Sequence, residues 1–594
     1  MSVELLKLDS REFTTAFRQG GYDSLSERFI EIFEFFSERA FVRFSPEEQG
    51  ALNEFVRVFL YLFTKREYQV NARYCAHFIH FNPVISNLTA LTPQKTTDRQ
   101  LEMLRTQDGA LFKILTLLSP RNSIQFNVAD FFDTNVYMAS VWYSIYFYSV
   151  EGSPTRMIHE NQIRHQHSLD KRWMIVGATK GGSSVPYFIS TYIDPLTEQG
   201  VRSHINQSIR PMFAREKIRN TPRKKSIAIL STCWYRGSAV YRSVSRYVEA
   251  LRPDYDLTLI QLSKASADFD QSLFSDIRTV QFDFAKGTYD LTAIKDNDFA
   301  LAFFTDIGMQ EEDRYLSNLR FAPIQITGYG HPVSSWGGDI DYYIGGRSIE
   351  NGLHPEKRYS ERLVLIPGIG LVPSYPNYQP QGVQRREDGR VIINCPWTAQ
   401  KCHYPHLLTL RTIIERSEKK LLFRFTGGRG LHRNNAFLPF VQDISEVLGE
   451  EHVEVLHEVP YSRFMELLEE GDFTIDAWPF AGYNTLIDSL WLVKPWVSRE
   501  GEMFINRASS ALLRQVGLDE LITHSEEEYI ERVLRMIHDD DWRMSLQKKL
   551  RVVDLEQTVF AAGYEAHFKQ AVDYLIDNHK QLATNPSRDP IFIE

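Results

Sequence analysis

Beyond residue 225 the chain is built from short, nearly uninterrupted apolar runs, at 227–230, 257–262, 280–284, 299–304, 323–327 and 363–366. Runs this short, without polar alternation, fit strands buried on both faces. Segments of helical spacing, such as 241–251, lie between them. Strand and helix in alternation predict a parallel sheet covered on both sides. After the polar stretch 379–389 a second series begins, at 391–395, 421–426, 453–456, 473–477 and 495–498. Two successive series predict two Rossmann-like lobes facing a cleft, with ligands held at the carboxyl ends of their strands.

The preceding part reads as helix. Ser24 and Glu27 have capping-box spacing, and Leu25, Phe29, Ile32, Phe33 and Phe36 fall on one helical face. Ser45-Pro46-Glu47-Glu48 has the cap, proline and acidic first turn of a helix start. Helical patterns continue to about residue 218 without a fixed repeat period. The basic, proline-bearing stretch Thr221-Pro222-Arg223-Lys224-Lys225 is expected to be a linker, and 558–582 a terminal helix. The expected division is an all-α unit over 1–222, a first α/β lobe over 223–385, and a second lobe with its C-terminal helices over 386–594.

The 594 residues exceed what one core organises. A net charge of −9 speaks against a nucleic-acid partner, which calls for a basic footprint. Four scattered cysteines (Cys75, Cys233, Cys395, Cys402) suit a reducing compartment. The start, MSVELLKLDSREF, lacks the cationic and apolar blocks of a secretory signal. The uncharged stretch 135–150 is too short to cross about 30 Å of hydrocarbon, so a buried soluble helix is expected there. These features predict a cytoplasmic protein with no membrane insertion.

Four stretches carry candidate chemistry. In FTIDAWPFAGYNTLIDSLW (473–491) a strand ends and a helix opens at Gly482-Tyr483-Asn484-Thr485. Free N–H groups and the helix dipole suit a diphosphate there, and Asp488, one turn on, suits ribose hydroxyls. An ordinary Asn484 cap with a dipole-compensating Asp488 is the plain alternative. In VIINCPWTAQKCHYPH (391–406) the loop Thr398-Ala399-Gln400-Lys401 follows a strand, so the Lys401 ammonium faces the cleft unless it is simply solvated. In LHEVPYSRFM (456–465) His457 closes a strand, Val459 and Pro460 offer backbone groups, and Phe464 serves either a base or the core. In FAPIQITGYGHPVSSWGGDIDYY (321–343) a glycine-rich loop carries His331, placed for phosphate or sugar or else a turn histidine. His331 and Asp306 are the general-base candidates, each with a structural role as the alternative. Cys402-His403-x-x-His406 and Cys75-x-His77-x-x-His80 lack a second pair at zinc spacing. Asp339-x-Asp341 and Asp268-x-Asp270 stand outside the architecture that uses such pairs for metal, so neither a metal nor a cofactor is expected.

These stretches resemble glycosyltransferase family 41. LRFAPIQITGYGHPVSS and the later DIDYY, with FFTDIGM ahead, resemble the bacterial cytoplasmic N-glycosyltransferases of high-molecular-weight adhesins, which share the family with eukaryotic O-GlcNAc transferase. TAQKCHYPHLLTL resembles the loop whose lysine contacts the UDP diphosphate, HEVPYSRFMELL the base segment, and WPFAGYNTLIDSLWLVKP the phosphate-and-ribose helix. The resemblance covers about residues 226–547, with the motifs in family order. It implies an α/β chain of GT-B fold, two Rossmann-like lobes preceded by an all-α domain, with acceptor on the first lobe and UDP-sugar on the second. It assigns Lys401 to the diphosphate, Asn484 and Thr485 to phosphate, Asp488 to ribose, Phe464 to uracil and Val459 to backbone contacts. Thr398, His457 and Tyr483 complete the expected donor set. The implied reaction is inverting, metal-independent transfer of a hexose, expected as glucose, from a UDP-hexose to asparagine (Asn-x-Ser/Thr) or Ser/Thr of an acceptor polypeptide. The alternatives are a glycan or small-molecule acceptor, or an inactive GT-B-like binding protein. Two departures stand out: the stretch 234–242 (WYRGSAVYR) lacks the histidine of the bacterial enzymes, and Tyr483 stands where O-GlcNAc transferase has a histidine.

Overall fold

The computed structural model describes residues 8–39, 41–175, 183–262, 269–284, 286–383, 389–426 and 434–594. Helices fill the first part, from Ser10–Arg18 to Glu198–Ile209. Ser45 and Glu48 form the expected reciprocal capping box at the helix Pro46–Phe63. The other capping-box expectation is corrected: the helix Tyr22–Ser37 starts before Ser24 and is capped by Gly21 without a side-chain bond. Its apolar face is as expected, since Phe29 and Phe33 meet Phe59 edge-on with ring centroids 5.1 and 4.9 Å apart. The uncharged stretch becomes the buried helix Val136–Tyr146. Among the described residues no helix is long and apolar enough to cross a membrane.

The first sheet uses β1 (Arg219–Ser231), β2 (Asp256–Gln261) and β3 (Asp276–Thr279). A separate antiparallel hairpin pairs β4 (Gln281–Asp283) with β5 (Thr288–Asp290). The sheet continues with β6 (Asp296–Phe304), β7 (Ile324–Thr327), β8 (Tyr342–Gly346) and β9 (Arg362–Ile366). The second sheet holds β10 (Val391–Cys395), β11 (Leu421–Phe425), β12 (Val453–Val455), β13 (Phe473–Ile475), β14 (Trp496–Arg499) and β15 (Ile522–Thr523). The last strand, β16 (Ile591–Phe592), returns to the first. The strand orders are β16-β9-β8-β7-β6-β1-β2-β3 and β12-β11-β10-β13-β14-β15, with parallel pairing throughout both. The order reverses between β1 and β6 in the first and between β10 and β13 in the second, and such reversals open the crevices where α/β sheets bind ligands.

Three expectations change. Thr221–Lys225 is no linker but the exposed half of β1, which pairs with β6 through two register irregularities. Its charges are tolerated because that half projects beyond the buried sheet, where Arg223 meets Asp256 and Asp298. The run at 280–284 belongs to the hairpin rather than the main sheet. The unit 386–594 does not stay with the second sheet: the helix Tyr564–Thr584 stacks Phe568 on Tyr247 at 4.4 Å, and β16 extends the first sheet. In the polar stretch 379–389, the N–H groups of Gln381 and Gly382 donate to the Glu469 carboxylate of the second lobe, and residues 384–388 lie outside the described residues.

The helical unit is fastened to the second lobe. Arg121 makes two 2.7 Å bonds to Asp443, both side chains nearly buried. Nearer the cleft, the segment around Ser153 runs against the loop that carries Lys401: Ser153 N–H donates to the Cys402 carbonyl (2.9 Å), and Tyr404 N–H to the Ser153 carbonyl (2.7 Å). Gly152 makes this approach possible. Its φ of +66° suits glycine, and a Cβ there would overlap the Ala399 carbonyl. Gly152→Ala is therefore expected to cost about 2–4 kcal/mol, as backbone strain plus overpacking. Gly517→Ala, with a φ of +68° and open space around it, carries the strain alone. Thermal melts of the two variants test this, with the larger fall expected for Gly152→Ala; equal falls would show that the segment does not press on the loop.

Candidate donor site at the second-sheet switch point

β10 and β13 are neighbours at the reversal of the second sheet, so the loops after them share one crevice. After β10, Ala399–Lys401 form one tight turn. After β13, Asp476 organises the return: its carboxylate accepts from Gly482 N–H (2.7 Å) and Ser498 Oγ (2.9 Å), setting up the helix Asn484–Trp491. The Lys401 ammonium donates to the Ala481 carbonyl at 2.7 Å, three residues before that helix. It also lies over the Phe480 ring (4.9 Å), which stacks on Tyr192 of the helical unit at 4.4 Å. Burial pushes the Lys401 ammonium down to about 8, with the Asp476 charge opposing the shift. A lysine and a helix mouth are thus brought to one place.

Asn484, at the helix start, reaches across the cleft, its amide donating to the Ala239 carbonyl (3.3 Å) and Ser243 Oγ (3.4 Å) of the first lobe. Thr485 Oγ1 packs where a Cβ on Gly482 would sit, so the turn admits glycine there. Asp488 is almost fully buried and engaged twice: Tyr461 OH donates to Oδ1 (2.7 Å), and the Arg242 guanidinium reaches Oδ1 (2.8 Å) and Oδ2 (3.3 Å). The helix Tyr461–Glu470 also carries Phe464, half-buried against Met465, Leu468 and Leu492, with its ring 6.2 Å from Tyr461. Val459 lies in the turn before that helix, and Thr398 is exposed at the mouth of the Lys401 turn. His457 packs edge-on against Phe437 at 5.0 Å.

The first-lobe candidates fare differently. Asp306 sits at that sheet's own reversal, 1% exposed, and accepts from Thr232 Oγ1, Thr232 N–H (3.1 Å) and Thr305 Oγ1 (2.7 Å). It ties the end of β6 to that of β1, and with three donors upon it and 1% exposure it holds the structural role named as the alternative to a general base. His331 is 4% exposed, and its Nδ1–H donates to the Ile307 carbonyl (3.0 Å), which leaves Nε2 as an acceptor, buried and without a partner. Burial holds its pKa well below the usual histidine value, so it is a neutral ring and not a cation for phosphate. Asp339 and Asp341 are both paired with Arg320; Asp268 lies outside the described residues.

Sequence reasoning missed Arg242, Tyr461 and the Ala481 carbonyl. Tyr461 shares a motif with Phe464, three residues on, and was within reach of the sequence. Arg242 closes the very stretch that lacks a histidine, yet its partner lies 246 positions away. A cavity of about 590 Å³ opens beside the cleft, lined by Tyr241, Ser245, Asp270, Ser374, Tyr375 and Phe560.

No family-level sequence profile matches the chain. The UDP-glucose:protein N-β-glucosyltransferase of Actinobacillus pleuropneumoniae serotype 5b is 27% identical over 334 residues, 55% of this chain and 52% of that protein. The chain therefore spans about half the length of this relative. The Hordeum vulgare protein named as a probable UDP-N-acetylglucosamine–peptide N-acetylglucosaminyltransferase SPINDLY is 24% identical over 269 residues, 42% of this chain and 27% of that one. Among solved structures, a mutant O-GlcNAc transferase of Thermobaculum terrenum superposes with a TM-score of 0.54 at 17% identity, covering 97% of this chain and 98% of that one. The lobes, the strand orders and these likenesses agree: the chain has the GT-B fold and resembles the protein glycosyltransferases of family 41.

Proposed function

We propose that the chain is an inverting, metal-independent protein glycosyltransferase that moves a hexose, glucose in the first instance, from UDP to asparagine in Asn-x-Ser/Thr or to Ser/Thr. The observation that carries this reading is the 2.7 Å contact of Lys401 with Ala481, which puts an ammonium beside the helix mouth at Asn484. In the reaction an acceptor atom attacks the anomeric carbon as UDP leaves from the opposite face. The leaving diphosphate gathers negative charge, and groups fixed in advance around it lower the barrier. Lys401 supplies the charge, the Asn484–Thr485 amides the hydrogen bonds, Asp488 and Tyr461 the ribose contact, and Phe464 with the Val459 backbone the uracil contact. Thr398 stands at the entrance and Tyr483 beside the phosphates; His457 remains in the proposed set as a lining group on the base side. A neutral His331 suits hydrogen bonding from a sugar or acceptor hydroxyl, with its bare Nε2 as acceptor. The setting proposed is cytoplasmic, in keeping with Cys75, Cys233, Cys395 and Cys402 as free thiols.

The direct test is mass spectrometry of an Asn-x-Thr peptide library incubated with UDP-glucose or UDP-GlcNAc, alongside calorimetry with UDP. Hexose addition to asparagine is the expected result; UDP binding without peptide modification would move the acceptor to a glycan or small molecule, and no UDP binding would leave a scaffold. Lys401→Ala is expected to lower turnover at least about hundredfold in a folded protein, and near-normal transfer would remove Lys401 from the mechanism. The same ammonium gives a pH signature. Free Lys401 loses its proton near pH 8, whereas a bound diphosphate holds the proton on to higher pH. The complex therefore carries the extra proton above pH 8, so UDP affinity should be full below that value and fall as pH rises through it. Calorimetric affinity that is flat from pH 7 to 9.5 would contradict this.

A further inference from the structure

We propose that Arg242, a first-lobe side chain, is a second cationic ligand of the donor's diphosphate, working from the opposite wall of the cleft to Lys401. This rests on the donor-site reading above. Arg242 lies in the first turn of the helix Ala239–Leu251, which Ser238 caps by accepting from the N–H groups of Val240 and Tyr241. Its own carbonyl accepts from Ser374 N–H (2.7 Å), which fixes the backbone from which it reaches. The side chain crosses to the second lobe, lies over the Tyr461 ring (5.7 Å) and engages Asp488, with only 13% of its surface exposed.

A guanidinium has five N–H donors, and the two bonds to Asp488 leave the rest for other partners. Arg242 Nε is buried and without an acceptor. Two further atoms at the same helix mouth share that state, Tyr483 OH and Asn484 Oδ1. Buried polar atoms are nearly always paired, so three orphans around one helix start mark a place made for a polar guest. Asp488 lies four residues beyond Asn484, about 6 Å of helix rise, well within the sweep of an arginine side chain. A carboxylate has about four acceptor positions, and Arg242 and Tyr461 already use three on Asp488. Ribose hydroxyls arriving there displace guanidinium N–H groups, which then face the diphosphate one turn away. The planar fork of arginine matches phosphate oxygens, and the diphosphate's two charges then meet two cations instead of Lys401 alone.

A latch between the lobes is the competing explanation, and the two separate cleanly. Calorimetry compares UDP with uridine, which has the base and ribose but no phosphate, on the intact chain, Arg242→Gln and Arg242→Lys. As a phosphate ligand, Arg242→Gln loses at least about tenfold in UDP affinity while uridine affinity holds or rises. Arg242→Lys, which keeps the charge but not the fork, falls between the intact chain and Arg242→Gln in its UDP-to-uridine ratio, and circular dichroism confirms that both variants fold. Equal changes for the two ligands, or tighter UDP binding by Arg242→Gln, would overturn the assignment and leave a latch. If the intact chain binds no UDP, the donor site itself falls and this assignment with it.

Discussion

In the reading proposed above, a leaving diphosphate needs positive poles in one small volume, and the reversal of strand order between β10 and β13 brings the two candidates together. Because those strands are neighbours although 77 residues separate their nearest ends in the chain, one crevice receives both the Lys401 turn and the turn that opens the helix Asn484–Trp491. Every other feature of the site serves that meeting. Asp476 holds the return from β13 by accepting from Gly482 and Ser498. Ser153 holds the Lys401 loop from the other side. Phe480 and Tyr192 place aromatic surface under the ammonium, whose burial lowers its proton affinity before any ligand arrives.

The three units are interlocked and do not hang on linkers. The turn that carries Arg121, between the helices Leu111–Leu117 and Val128–Thr134, grips the second lobe through its pair with Asp443, and the end of the chain completes the first sheet. A buried pair of this kind is weak evidence for stability, since desolvation offsets much of its attraction, but it fixes orientation because either partner alone is costly. Across the cleft, Tyr329 stacks on Phe504 at 4.0 Å, and Arg242 meets Asp488. The helical unit thereby supports the loop bearing the ammonium, so substitutions far from the donor pocket can reach it through Gly152 and Tyr192.

Much of the fold was legible because buried strands leave a continuous apolar record. The residues 391–395 match β10, and most other runs fall within a residue or two of a strand. Exposure misled where charge stood in for loop: β1 begins in basic residues because half of it overhangs the core. β8 starts inside the motif DIDYY, and β15 is two residues long, so neither leaves an apolar run of its own. Of the candidate site, Lys401 and the 484–488 helix start were visible as polar residues just after buried strands. Asp306 and His331 were visible too, but one sequence cannot say whether a polar group faces substrate or a neighbour's backbone; here Thr232 and Ile307 take those roles. Arg242 could not be read at all, since its meaning comes from a partner in the other lobe.

The account stands on the ammonium and the helix mouth acting upon one diphosphate. A crystal structure of the chain with UDP addresses this most directly. It should show the diphosphate between Lys401 Nζ and the backbone amides at Asn484 and Thr485, with ribose hydroxyls on Asp488. A nucleotide seated instead in the cavity lined by Tyr241 and Tyr375, with Lys401 still bonded to the Ala481 carbonyl, would contradict it.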